Sequence, residues 1–268
     1  MDFLRIPREI ATVEPSIVFK IFGYPVANST LMLLVVVVLT GLVAVYVTRR
    51  ASLSPARMQN VIEVLYERIY GIVAQIVGDE RRATLVFPAV AALFVFILVS
   101  NILGLVPGLG EIQFAGTQVF RTATSDFNTT FALALGAVLV LQWVSVREWG
   151  ILAHLGKYFQ FAEVYRGFKK GIGAGINALV GFAIGLLDIV GEVAKVVSLS
   201  LRLFGNMFAG QVLATIILGG VALAIPALWM SMSLLSAIVQ TMVFAFLVTA
   251  YYTLAIKPED AASPPKDG

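Results

Sequence analysis

Long apolar runs separated by short polar breaks dominate the chain, and one of the runs carries charges. The first predicted span covers about Leu31 to Val47, with Asn28-Ser29-Thr30 as a cap before it and Arg49-Arg50 closing it. Ser54-Pro55 then has the cap-and-proline signature of a helix start. From there to Val77 the apolar residues, among them Val61, Leu65, Ile69, Val73 and Ile76, recur at three- and four-residue spacing. Arg57, Asn60, Glu63, Glu67, Arg68 and Gln75 hold the other face. That predicts an amphipathic helix over 54–77, too charged to span and suited to lie along a membrane surface. A soluble helix packed on a partner is the competing reading. Further spans are predicted over Phe87–Val106, ending at Pro107-Gly108, and over Phe127–Val146 after a polar loop through Asp126.

Arg147 to Lys170 reads as a polar connection. From Asn177 to Ile225 the chain is nearly all apolar. As one helix that stretch would reach about 74 Å against a hydrocarbon core of about 30 Å, so it must be steeply tilted or broken. Pro226 marks the turn into a last span ending near Ile256, and the tail KPEDAASPPKDG reads as disordered. The expectation is an all-α integral membrane protein in one domain over 1–268. It has about five transmembrane helices and one amphipathic surface helix. Residues 1–30 form an arm, and 177–256 form a long tilted hairpin.

Composition agrees. Hydrophobic residues make up 59% of the 268 positions, charged residues 13%, and the mean hydropathy is +0.91. With no cysteine and one histidine, thiolate metal sites and disulfides are excluded and a haem site is disfavoured; no cofactor or metal is expected. No removable leader is read in MDFLRIPREIATVEP, which suits a bacterial inner-membrane protein. Five crossings put Arg49, Arg50, Arg57, Arg68, Arg81, Arg82, Arg147, Lys157, Arg166, Lys169, Lys170, Lys257 and Lys266 on one side. Only Arg5, Arg8, Lys20 and Arg121 fall on the other. The positive-inside rule then places the N-terminus outside and the C-terminus in the cytoplasm.

No phosphate loop is present: GILAHLGK, from Gly150, has one residue too many between its glycines. Any nucleotide chemistry must therefore lie on another subunit, and nothing suggests nucleic-acid binding. Gly171, Gly173 and Gly175 suit close helix packing, and His154 reads as a surface residue beside Lys157.

The charges sit in DIVGEVAKVVSLSLRLFGN, Asp188–Asn206. On an ideal helix Asn206, Ser198 and Asp188 lie about 40° from Arg202, Lys195 about 20° and Glu192 about 80°, so all share its face. Gln211 falls opposite, and needs a different neighbour or altered winding. A central arginine costs about 2.5–3.5 kcal/mol in a bilayer and stays charged. Glu192 and Asp188 can neutralise Lys195, but Arg202 has no acid within a turn. Either it pairs statically and orients helices, or its partner belongs to another, moving protein.

The segment SLSLRLFGNM, Ser198–Met207, closely resembles the signature of subunit a of F-type ATP synthases, the membrane stator subunit. The resemblance extends to FKIFGYPVANSTL from Phe19, SPARMQNVIE from Ser54 and FVFILVSNILGLVPG from Phe94. SDFNTTFALALG from Ser125 and QTMVFAF from Gln240 complete it. It implies two aqueous half-channels that do not meet, through which protons reach and leave carboxyls on a rotating ring of c subunits. It also implies b subunits of the peripheral stalk, a nucleotide-binding sector and membrane lipid as partners. Arg202 matches the essential arginine and Asp188 the acid of the cytoplasmic exit. Asn206 and Gln240 match polar residues near the arginine, Asn101 a polar position on the outer route, and Lys195 and Ser198 further motif positions.

Relatives carry an acid where Gln211 stands and a histidine where Ser233 stands. The outer route here is thus expected to be a water path lined by Asn101, Gln211, Ser233, Gln240 and Asp126. Glu192 is an extra acid on the exit side. The competing functional readings are an ion-coupled secondary transporter, which usually shows repeats absent here, and a scaffold without conduction. Whether the ion is a proton or sodium would be set on the ring.

Overall fold

The structure is a computed structural model, and it describes residues 14–50, 57–106, 108–114, 116–158, 160–218 and 224–256. The N-terminal arm before Glu14, the Ser54-Pro55 helix start, Pro107 and the tail from Lys257 lie outside them.

Among the described residues five helices are long and apolar enough to cross a membrane, as the hydropathy pattern predicts. They are α1 (Asn28–Arg50), α3 (Glu80–Gly104), α4 (Phe127–Trp149), α7 (Ile172–Leu218) and α8 (Ala224–Ile256). Between the first two lies α2 (Arg57–Val77), which buries Ile69, Val73 and Val77 at helical spacing and exposes Val61, Val64 and Tyr66.

Boundaries differ from the hydropathy reading for local reasons. Asn28-Ser29-Thr30 is already the first turn of α1, where the Asn28 side chain accepts from the Ser29 amide at 2.9 Å. Helix α3 begins seven residues before Phe87, because Asp79 caps it by accepting from the Arg81 amide at 2.9 Å. Its charged first turn, Glu80-Arg81-Arg82, hid that start from an apolar window. Asp126 likewise caps α4, accepting from the Asn128 amide at 3.0 Å. The polar connection after α4 is itself helical, as α5 (Ile151–Tyr158) and α6 (Phe161–Lys170). Gly167 and Gly175 allow α6 and α7 to meet closely, since a Cβ at either would overlap the other helix.

The apolar run from Asn177 is unbroken through Leu218, so α7 is one helix of 47 residues. It buries Val196, Leu199, Ser200, Leu203 and Met207, a single stripe at three- and four-residue spacing. The stripe packs on α4 and α8 within one core that also holds Phe94, Ile97, Leu141, Phe244 and Val248.

At the end of the bundle where α1 begins, two small hairpins cap the helices. One pairs β1 (Ile17–Ile21) with β2 (Tyr24–Ala27) about a turn in which Phe22 and Gly23 both have positive φ, the geometry a two-residue hairpin requires. The other pairs β3 (Gln113–Phe114) with β4 (Thr117–Gln118). A short 3-10 turn, Ala123–Ser125, leads from it into α4.

Candidate functional site

Arg202 stands on an exposed face of α7, outside its buried stripe. It is exposed, as is Ser198, and among the described residues no hydrogen bond or ion pair reaches its guanidinium. Lys195, by contrast, donates to Glu192 at 2.7 Å and lies 5.4 Å from the Tyr251 ring. The expected neutralisation of the lysine by Glu192 is thus present. Asp188, Glu192 and Lys195 are half-buried, about two to four turns before Arg202.

Helix α5 adds groups to that region. Tyr158 is buried, donates to Gln142 of α4 at 3.4 Å and packs edge-on to His154 at 5.4 Å. Its pKa is raised above the ordinary tyrosine value, chiefly by burial, with the charges of Glu192 and then Asp188 adding and the Gln142 bond opposing. His154 is half-buried rather than a free surface residue, its Nδ1 3.2 Å from the Ser145 hydroxyl.

Beyond Arg202, toward the hairpin end, lies a cavity of about 560 Å³. Asn206, Gln211 and Ser233 line it together with Thr122, Ser236 and Trp229. Ser236 donates to Asn206 at 3.0 Å and Gln211 donates to Thr122 at 2.7 Å. Gln211 thus finds a different neighbour, and α7 shows no break in its winding there.

Thr122 belongs to a polar turn that the sequence did not single out, residues 121–126, buried from end to end. The Thr124 hydroxyl donates to Asn101 Oδ1 at 2.7 Å, and Asn101 in turn donates to Thr241 at 3.4 Å. The Ser29 hydroxyl donates to the Asp126 carboxylate at 2.6 Å. The turn therefore bonds to α1, α3 and α7 at once and reaches α8 through Asn101. Its sequence, RTATSD before an apolar run, was the available signal: six polar or small residues leading into a helix cap. Asn101 and Gln240 are buried, and the Gln240 Nε2 has no partner among the described residues. Asp126 and Asn101 lie outside the lining of the large cavity and connect to it through the turn.

Along α7, Asp188 lies about 21 Å before Arg202 and Gln211 about 14 Å beyond it, at 1.5 Å per residue. Two polar regions thus flank, from opposite ends of the bundle, an arginine unpaired among the described residues. Residues 29–253 match the family described as ATP synthase A chain. The chain belongs to that family. It is 35% identical to ATP synthase subunit a 2 of Syntrophotalea carbinolica over 84% of this chain and 83% of that one. It is 28% identical to ATP synthase subunit a of Moorella thermoacetica over 89% and 95%, and 29% identical to a subunit a 2 of Picosynechococcus over 90% and 91%. The matched residues reach into every long helix, and the flanked arginine lies within them.

Proposed function

We propose that this chain is the ion-conducting stator subunit of a rotary ATP synthase, and that its two polar regions are the offset half-channels. It is a multi-pass membrane protein without nucleotide chemistry of its own. Protons enter through the hairpin-end cavity lined by Asn206, Gln211 and Ser233. Asn101, Gln240 and Asp126 supply the polar groups around it. A proton then neutralises a carboxylate on a c-subunit ring, and after rotation leaves past Ser198, Lys195, Glu192 and Asp188. Peripheral-stalk b subunits hold the chain against the ring's torque. The Lys/Arg asymmetry orients the bundle in a bacterial inner membrane with the hairpin end outside and the C-terminus in the cytoplasm.

The observation that carries this reading is Arg202, exposed on the outward face of α7 and without a counter-charge among the described residues. A static helix-orienting arginine would hold an internal partner, because an unpaired charge in hydrocarbon is costly. A passing carboxylate supplies one only while it is present. The arginine then attracts each deprotonated ring carboxyl and keeps the half-channels electrically apart.

Each charge moved through 100 mV yields about 2.3 kcal/mol, and leakage past the arginine discards that work. Arg202→Ala should abolish ATP synthesis in inverted vesicles under an imposed proton gradient, permit passive leak and leave the complex assembled. Arg202→Lys should also fail to synthesise, with a smaller leak, since an ammonium lacks the delocalised fork and loses its proton more readily when desolvated. Appreciable synthesis by an intact Arg202→Ala complex would rule the mechanism out.

A further inference from the structure

Arg121 is the one cation in the buried turn at the hairpin end, and it is only 8% exposed. Its Nε donates to the Ser125 hydroxyl at 3.1 Å, one terminal nitrogen to the Ser125 carbonyl at 3.2 Å, and the other to the Glu14 carbonyl at 3.1 Å. The Ser125 hydroxyl passes the restraint on, donating to the Thr122 carbonyl at 2.8 Å. The guanidinium therefore closes a ring of bonds around the turn and ties the N-terminal arm to it. Burial alone would disfavour its charge, and Asp126 offsets that in part.

Arg121 also borders a small cavity of about 50 Å³, with Gln118, Thr122 and Gln211 among its other polar neighbours. Since a water's share of liquid volume is about 30 Å³, the space suits one or two waters. Thr122, Gln211, Gly104 and Gly110 line this cavity and the large one alike. The Thr122–Gln211 bond thus stands at the neck between them. Gly104 keeps the neck tight, because a Cβ there would overlap the Thr122 side chain.

We propose that Arg121 is a positioning residue of the outer route, clamping the turn 121–126 so that Thr122 meets Gln211 and fixes the neck between the two cavities. The proposal rests on the reading of the large cavity as an aqueous path. A lysine retains the charge but cannot reproduce three bonds fixed by one planar fork. A charge effect and a positioning effect therefore separate between the two substitutions Arg121→Lys and Arg121→Gln.

The chain has no cysteine, so Ser233→Cys gives a single thiol beyond the neck. Right-side-out membranes carrying the whole complex would be labelled with a small impermeant thiol reagent, and ATP synthesis measured in inverted vesicles of the same variants. The Ser233→Cys protein should label from outside. If it does not, the aqueous-path reading fails, and the neck with it. Given labelling, both Arg121→Lys and Arg121→Gln should lower the maximal synthesis rate about tenfold at saturating gradient, since misplacing positioned groups costs rate. Both should also speed labelling of the Ser233→Cys thiol about threefold as the neck loosens. A full synthesis rate in Arg121→Lys with impairment only in Arg121→Gln would show charge alone at work and overturn the clamp. Unchanged labelling in both would overturn it too. Should either variant fail to assemble, Ser125→Ala removes one acceptor and leaves the charge. It should lower synthesis and speed labelling in the same direction, and wild-type behaviour there would overturn the proposal.

Discussion

Gly104→Ala is a one-methyl test of how closely α3 approaches the buried turn. The added Cβ would overlap Thr122 Oγ1, with Thr122 Cγ2 at 2.5 Å and Cβ at 2.8 Å, so no rotation of the threonine alone clears it. Overpacking of this kind costs about 1–3 kcal/mol. Displacing Thr122 also endangers its 2.7 Å bond from Gln211, worth about 0.5–1.5 kcal/mol. Helix propensity offsets little, because Gly104 is the last residue of α3. The net expectation is about 2–3 kcal/mol of destabilisation and reduced proton-driven synthesis. Gly136→Ala in α4 is the control, for a Cβ there meets nothing within 4 Å. Both variants would be compared as assembled complexes by heat inactivation and by synthesis in vesicles. Adding Thr122→Ala to Gly104→Ala removes Oγ1 and Cγ2 and should partly restore both readouts, a coupling a double-mutant cycle measures. A Gly104→Ala complex as stable and active as Gly136→Ala would refute the close approach and the neck built on it.

Gln211→Leu should slow proton entry more than Glu192→Gln slows exit, measured as passive flux and as synthesis rate; untouched flux would place the route elsewhere. Tyr158 holds its proton more tightly folded than unfolded. The stability this gives is complete below the ordinary tyrosine value of about 10 and is lost as pH rises above it. A spectrophotometric titration should show Tyr158 ionising above that value in the wild type and earlier when Glu192→Gln removes a neighbouring charge. Cysteines introduced by Glu63→Cys and Glu67→Cys on α2 should react with an impermeant reagent only from the cytoplasmic side; labelling from outside would reverse the orientation.

The spans were legible because a bilayer selects for continuous apolar length, a property of consecutive residues. The stripe around Arg202 was legible for the converse reason, since charge within such a run has few explanations. The polar turn was not. Its bonds join residues far apart in sequence: Ser29 with Asp126, Asn101 with Thr241, and Gln211 with Thr122. Periodicity records only neighbours along one element. Gln211 illustrates the limit, because helical rotation placed it opposite Arg202, whereas the loop that meets it comes from elsewhere in the chain. Helices α5 and α6 were missed because their charge balance resembles that of a polar connection, and hydropathy does not separate a short surface helix from a loop.

The length and bareness of α7 bear on how the protein is made. In its apolar window only 11% is buried inside the chain, as in that of α1, against 39% in the windows of α3, α4 and α8. A newly inserted chain therefore shows lipid a largely bare helix on which Arg202 is exposed, and an unshielded central arginine alone costs about 2.5–3.5 kcal/mol. Its own core covers the stripe of Val196, Leu199 and Leu203 and leaves the arginine exposed. Synthesis ahead of its partners would leave a subunit recognisable to membrane quality control, and burial of α7 against a neighbour would be the event that ends its exposure to proteolysis. On the proposed function, the helix that meets the ring would then also report whether the ring has arrived.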